Sequence, residues 1–195
     1  MGLVALSIPD ADIRYQYDWL PAAEADALLD VLTRVIPWEM HRIRLFGREV
    51  ASPRLSCWIG DADAVYTYSR TRFEPRPWLE ALLPLRHRIS AVAGETFNAV
   101  LANLYRDGRD SMGWHSDDEP ELGRDPVIAS VSLGAPRRFV FRHRHHHAQR
   151  VEIELAHGSL LLMRGATQRH WQHALPRSAR VNAPRLNLTF RRIRD

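Results

Sequence analysis

His115-Ser116-Asp117 is the first spacing in this chain with chemical consequence. In extended backbone, residues two apart project to the same side, so an imidazole and a carboxylate can meet one cation. One further histidine from elsewhere completes a set of two histidines and one carboxylate. That set suits non-haem iron(II) and leaves coordination positions open. His157, His170 and His173 are all available as the third donor, and spacing does not choose among them.

A second pattern lies near the end of the chain. Arg185-Leu186-Asn187-Leu188-Thr189-Phe190-Arg191 alternates between polar and apolar side chains. A strand with this pattern presents Leu186, Leu188 and Phe190 to a core. Its opposite face carries Arg185, Asn187, Thr189 and Arg191. Guanidinium groups facing an interior require anionic partners, because an unpaired buried charge is costly. A small dicarboxylate would meet that need. Asn103 and Tyr105, upstream of His115, share the same period of two and can add an amide and a phenol to the pocket.

These residues need elements to hold them. Pro21 fits the first position of a helix over 21–36, with Leu28, Leu29, Leu32 and Ile36 as its apolar stripe and Pro37 as its stop. A second helix is predicted over 77–93, with Gly94 as a C-terminal cap. After Gly94 the texture is that of strands: Thr96–Arg106, Pro126–Leu133, Arg138–His143, Val151–Leu155, Gly158–Met163 and Arg185–Ile193. Two helices followed by many strands point to a mainly β, α+β fold, with the helices packed on an antiparallel sandwich or barrel. The tract from Arg142 to Arg150 contains His143, His145, His146 and His147 and reads as a solvated hairpin tip.

The 195 residues suit one domain, with 45% hydrophobic and 26% charged side chains, which excludes a disordered composition. The formal net charge is +4, and all 27 basic side chains are arginine. Arginine suits phosphate and carboxylate recognition, although an all-arginine chain also fits the coding bias of a GC-rich genome. Arg44, Arg48, Arg54 and Arg142 are candidate phosphate contacts. Cys57 is the single cysteine, so no internal disulfide can form and a reducing compartment is expected. No signal-like segment or membrane-length apolar run appears. A cytoplasmic location is expected, nuclear if the source is eukaryotic.

Ordered blocks from Phe46 to the end carry a resemblance. They include Tyr66-Thr67-Tyr68-Ser69, Pro75-Arg76-Pro77-Trp78, Asn103-Leu104-Tyr105-Arg106-Asp107-Gly108 and His115-Ser116-Asp117-Asp118-Glu119. Ile128 to Gly134, Arg138 to His143, Ala156 to Leu160, His170-Trp171-Gln172-His173 and Arg185 to Arg191 continue the series. Together they resemble the AlkB family of DNA and RNA dealkylating oxygenases, most nearly its duplex-DNA-repairing animal-type branch. The resemblance implies a double-stranded β-helix, or jelly roll, with N-terminal helices on one sheet. It implies a single oxygenase domain over 1–195, with a helix-containing recognition part over about 1–95 and a catalytic core over about 96–195.

The same resemblance implies His115, Asp117 and His173 as ligands of iron(II). It implies Asn103, Tyr105, Arg185, Asn187, Thr189 and Arg191 around 2-oxoglutarate, with dioxygen as the oxidant. Arg185 would meet the distal carboxylate and Arg191 the iron-chelating end. Tyr68 would stack on a flipped base, with Tyr66 nearby and His115 on the other side. Asp118 and Glu119 would face the damaged, cationic base. Phe46 would fill the gap left in the duplex. The implied reaction is oxidative demethylation of 1-methyladenine and 3-methylcytosine in DNA by a monomer. A same-fold oxygenase acting on RNA, a protein or a small molecule is the alternative. Tyr68, the short His-rich loop before Arg150 and Met163-Arg164-Gly165-Ala166 depart from the family pattern and bear on duplex preference.

Overall fold

The computed structural model describes residues 2–45, 48–68 and 71–194; within these, 42–45, 48–50, 66–68 and 71–73 are described by their backbone alone. Phe46 lies outside the described residues. The chain begins with β1 (Val4–Leu6) and β2 (Asp12–Gln16), then α1 (Ala22–Val35). β3 (Arg42–Leu45), β4 (Arg48–Ala51), β5 (Leu55–Gly60), β6 (Tyr66–Tyr68) and β7 (Thr71–Phe73) follow. α2 (Leu83–Ala93) leads to β8 (Ala99–Tyr105) and β9 (Met112–His115). The remainder is β10 (Ile128–Gly134), β11 (Arg137–His143), β12 (Arg150–Leu155), β13 (Ser159–Arg164), α3 (Thr167–His170), β14 (Trp171–Leu175) and β15 (Arg185–Arg191).

Two antiparallel sheets form the body. The larger has the order β1-β2-β13-β10-β15-β8-β5, and the smaller β12-β11-β14-β9. β3–β4 and β6–β7 are separate two-stranded ribbons. This is the jelly-roll arrangement with few helices. One core lies on the helix side of the larger sheet, where Leu32, Leu85 and Ile89 meet Val131, Leu188 and Phe190. A second core lies between the sheets and contains Ile13, Ile128, Phe141, Leu161 and Trp171.

α1 matches its predicted span within a residue at each end. The second helix is shorter than predicted: a 3-10 turn occupies Glu80–Leu82, and the α-helix starts at Leu83. Pro84 explains the split, since proline fits a first helical turn but not a helix interior. Gly94 ends the helix at φ 64°, a left-handed cap that favours glycine.

β15 lies between β10 and β8, and its register sets the site. Arg185 pairs with Tyr105 and Asn187 with Asn103 across β8. Ser132 faces Asn187, and Ser130 faces Thr189, across β10. Leu186, Leu188 and Phe190 turn to the helix-side core. The polar set of β15 therefore faces the smaller sheet, as the alternation predicts.

Candidate metal centre

His115 ends β9, and β14 brings His173 directly opposite it. Their rings lie 4.2 Å apart, centroid to centroid. Asp117 follows β9 in a turn held at two points. Its N–H donates to Gln168 Oε1 at 2.9 Å, and the Ser116 hydroxyl donates to the Trp171 carbonyl at 2.9 Å. Donor atoms of His115, Asp117 and His173 all lie within 4.8 Å of one another. Asp117 and His173 are buried, and His115 is partly exposed.

The hydrogen bonds prepare these groups as ligands. His115 Nδ1 lies 2.9 Å from the Gly113 carbonyl, which only an N–H can satisfy. Its Nε2 therefore keeps the lone pair. Burial pushes the Asp117 carboxyl up, but Arg191, His173 and His115 outweigh it and hold the group down at about 2. The Arg191 guanidinium donates to Asp117 Oδ1. Burial, reinforced by His115 and Arg191 against Asp117, lowers His173 to about 3, so its imidazole is neutral at physiological pH. A neutral imidazole and an ionised carboxylate are the forms that bind a metal.

The pocket around them is lined by Asn103, Tyr105, Arg185, Asn187, Thr189 and Arg191 on the larger sheet. Leu101, Met112, Phe139, Met163 and Leu175 supply apolar wall. Arg185 is 2% exposed. Its Nη2 donates to Ser132 Oγ at 2.9 Å, while its Nε has no hydrogen-bond partner. Burial lowers its pKa to about 10, with Tyr105 opposing and Arg137 adding to the fall. Among the described residues no carboxylate pairs with it. A buried guanidinium so placed calls for an anion. The histidine–carboxylate set and this orphaned cation fit iron(II) and a small dicarboxylate in one pocket.

Arg54 is a correction. Read as a surface phosphate contact, it is 6% exposed and donates from Nε to Asn103 Oδ1 at 2.7 Å. Its Nη1 reaches Ser52 Oγ at 3.1 Å. With Oδ1 engaged, the Asn103 amide nitrogen is left to face the pocket. Gln168 was also missed, because a glutamine in a four-residue helix carries no signal that it will meet a turn fifty residues away. Arg142 is partly buried and lies over Trp114.

The other histidines have different settings. His157 Nδ1 accepts the Gly134 N–H at 2.8 Å. His170 joins Asp10 and His143 in a second group whose donors lie within 4.8 Å. There, His143 Nδ1 accepts the amides of His145 and His146 at 3.2 and 3.1 Å. Its proton then sits on Nε2, so the ring ties the hairpin turn together rather than offering a lone pair. The hairpin reading needs revision on this point: His145, His146 and His147 are exposed, but His143 is 4% exposed.

Asp118 is exposed and pairs with Arg144 at 2.8 Å; Glu119 is partly buried. Among the described residues, neither lines the pocket. Tyr66 and Tyr68 lie on β6, with their side chains outside what is described, as are those of Arg44 and Arg48.

Comparison with known proteins gives concordant findings. A family model described as the 2OG-Fe(II) oxygenase superfamily matches residues 12–191. Alpha-ketoglutarate-dependent dioxygenase alkB homolog 3 of Homo sapiens is 45% identical over 179 residues, covering 87% of this chain and 62% of that protein. DNA oxidative demethylase ALKBH2 of Mus musculus is 44% identical over 181 residues, covering 88% and 76%. These identities do not separate the two relatives. The chain thus spans less than two thirds of the alkB homolog 3 proteins it matches. The solved structure of OsALKBH1 superposes with a TM-score of 0.66 at 17% identity, over 98% of this chain, and supports the fold. Among the described residues, no helix is long and apolar enough to cross a membrane.

Proposed function

The chain belongs to the 2OG-Fe(II) oxygenase superfamily, and from that premise we propose that it removes alkyl groups oxidatively from nucleic-acid bases, 1-methyladenine and 3-methylcytosine in DNA foremost. The observation that carries the reading is the convergence of His115, Asp117 and His173 on a pocket whose far wall holds the uncompensated Arg185. The name of the mouse relative, DNA oxidative demethylase, supports the substrate class.

In this reading His115 Nε2, Asp117 and His173 hold iron(II), and Arg185 holds the distal carboxylate of 2-oxoglutarate. Bound iron, with 2-oxoglutarate and dioxygen, supplies the oxidising power to hydroxylate an N-alkyl carbon, after which the substrate releases an aldehyde and the restored base. The protein contributes position and exclusion of water. Gln168 and the Trp171 carbonyl fix the turn that carries Asp117. Arg191 holds that carboxylate ionised. Arg54 orients Asn103 so that its amide donates into the pocket. Asn187 donates to Ser130 Oγ at 2.7 Å and accepts from Thr189 at 3.0 Å, which keeps the floor rigid. Met112, Phe139 and Leu175 keep the surroundings dry. Residues 1–195 act as one oxygenase domain, and Phe46, Tyr66, Tyr68, Asp118 and Glu119 are the proposed contacts to the nucleic acid.

The test uses purified protein with iron(II), ascorbate and 2-oxoglutarate, and N1-methyladenine in matched single-stranded and duplex oligonucleotides. Mass spectrometry follows the methyl group, with Asp117→Ala as control. Methyl loss with wild type alone is expected. Succinate without methyl loss on any oligonucleotide would leave an oxygenase and remove the substrate class.

A further inference from the structure

On the outer face of the smaller sheet, behind the metal centre, Trp114 is an exposed tryptophan on an edge strand. One of its faces is covered: the Arg142 guanidinium carbon lies 4.3 Å from the ring centre. Arg142 is itself held by donating from Nη2 to Gln172 Oε1 at 2.8 Å. The indole is thereby fixed from one side. It borders a surface groove that also includes Met112, Arg138, Arg150, Glu152 and Arg177. Arg138 pairs with Glu152 at 3.2 Å, so Arg150 and Arg177, both exposed, give the groove its net positive charge. Met112 and Leu175, paired across β9 and β14, line this groove and the catalytic pocket alike. These two side chains are a wall common to the groove and the site.

We propose that this groove seats nucleotides of the substrate strand beyond the target base, with one base stacked on Trp114 and phosphates at Arg150 and Arg177. A single strand repeats one anion and one flat π-face per nucleotide, the pairing this surface offers. An acidic peptide would use the arginines and leave the indole unused. Trp114 lies one residue from His115, so a strand crossing edge strand β9 passes directly from the site to the groove. The inference rests on the nucleic-acid reading of function.

Fluorescence anisotropy with labelled oligothymidylates of about 5 and about 15 nucleotides tests it, because only the longer can fill site and groove together. Trp114→Ala weakens the longer oligomer about tenfold and leaves the shorter within about twofold; Trp114→Phe stays within about threefold on both. The pair Arg150→Gln with Arg177→Gln lowers the slope of log affinity against log salt by about 1.4, at roughly 0.7 per phosphate. Calorimetric affinity for 2-oxoglutarate equal to wild type shows each variant folded. Unchanged affinity of Trp114→Ala for the longer oligomer overturns the inference while demethylation by wild type keeps the function. Polyglutamate of matched charge that displaces the longer oligomer as well as unlabelled DNA does so too. Wild type that binds neither oligomer overturns the inference as well, and only the absence of methyl loss would remove the function with it.

Discussion

Replacing Arg185 by methionine separates stability from function with opposite signs. The guanidinium is 2% exposed, and among the described residues it has no carboxylate partner. Its fall from the ordinary 12.5 to about 10 corresponds to about 3 kcal/mol against the charged form, at about 1.4 kcal/mol per tenfold change in proton affinity. The sign follows from linkage: the charged form is the one disfavoured, so the cost is fully present below pH 10 and fades as pH rises from 10 toward 12.5. At neutral pH the substitution removes that cost and loses the contacts to Ser132 and Tyr105, about 2 kcal/mol. The ligand-free variant is therefore more stable by about 1 kcal/mol, which raises Tm by about 2–4 °C for a chain of this size. Binding moves the other way. Loss of the cation weakens 2-oxoglutarate by about 3 kcal/mol, on the order of a hundredfold in Kd. Scanning calorimetry with manganese(II), with and without 2-oxoglutarate, reads both effects. Wild type at about a hundredfold excess over Kd gains about 2.7 kcal/mol, and the variant gains little. A ligand-free variant that melts below wild type, or an equal ligand-induced gain in both proteins, would refute the idea of Arg185 as an uncompensated cation awaiting an anion.

Three further outcomes are expected. Gln168→Ala removes the acceptor for the Asp117 N–H and lowers metal affinity about 10- to 100-fold with the fold intact, as metal titration against circular dichroism would show. Gly134 has φ 86°, and an added Cβ would lie 2.5 Å from the Pro184 carbonyl; Gly134→Ala should cost about 2–4 kcal/mol in urea unfolding. Burial, aided by Glu39 and opposed by Arg76, pushes the Cys57 thiol up to about 11. It should resist a thiol reagent at pH 8 in the native protein and react promptly in urea, and fast native labelling would contradict the burial.

What was legible in the sequence was periodic. The alternation of Arg185–Arg191 sorted its two faces correctly, because a strand between two others must send successive side chains to opposite sides. His115 and Asp117 were legible as a close pair, although Asp117 is held in a turn after β9 and not on the strand that the two-residue spacing assumed; the choice among His157, His170 and His173 needed either the family resemblance or the pairing of β14 with β9. Arg54 and Gln168 were illegible because their partners, Asn103 and Asp117, lie far along the chain. β1 and β2 escaped because they are short and half-exposed, and because β2 joins the sheet through β13, far along the sequence, with β1 paired to β2. Pro84 carried a signal that an apolar stripe outweighed: it belongs in a first helical turn, so the helix could not run through from residue 77.

The pocket is assembled from two halves that come from different sheets. Its three metal donors lie on or beside the smaller sheet, and its buried arginines, asparagines and Thr189 lie on the larger. The halves share the core between the sheets and touch where Arg191 donates to Asp117, yet each supplies its own kind of donor. Over evolutionary time single donors of one kind can be lost while those of the other kind remain. A descendant that lost Asp117 would retain a cradle for a small dianion, and one that lost Arg185 would retain a cage for a cation. Inactive relatives of this fold should accordingly be of two kinds, sensors of an organic acid and sensors of a metal, each inheriting one wall of the same catalyst.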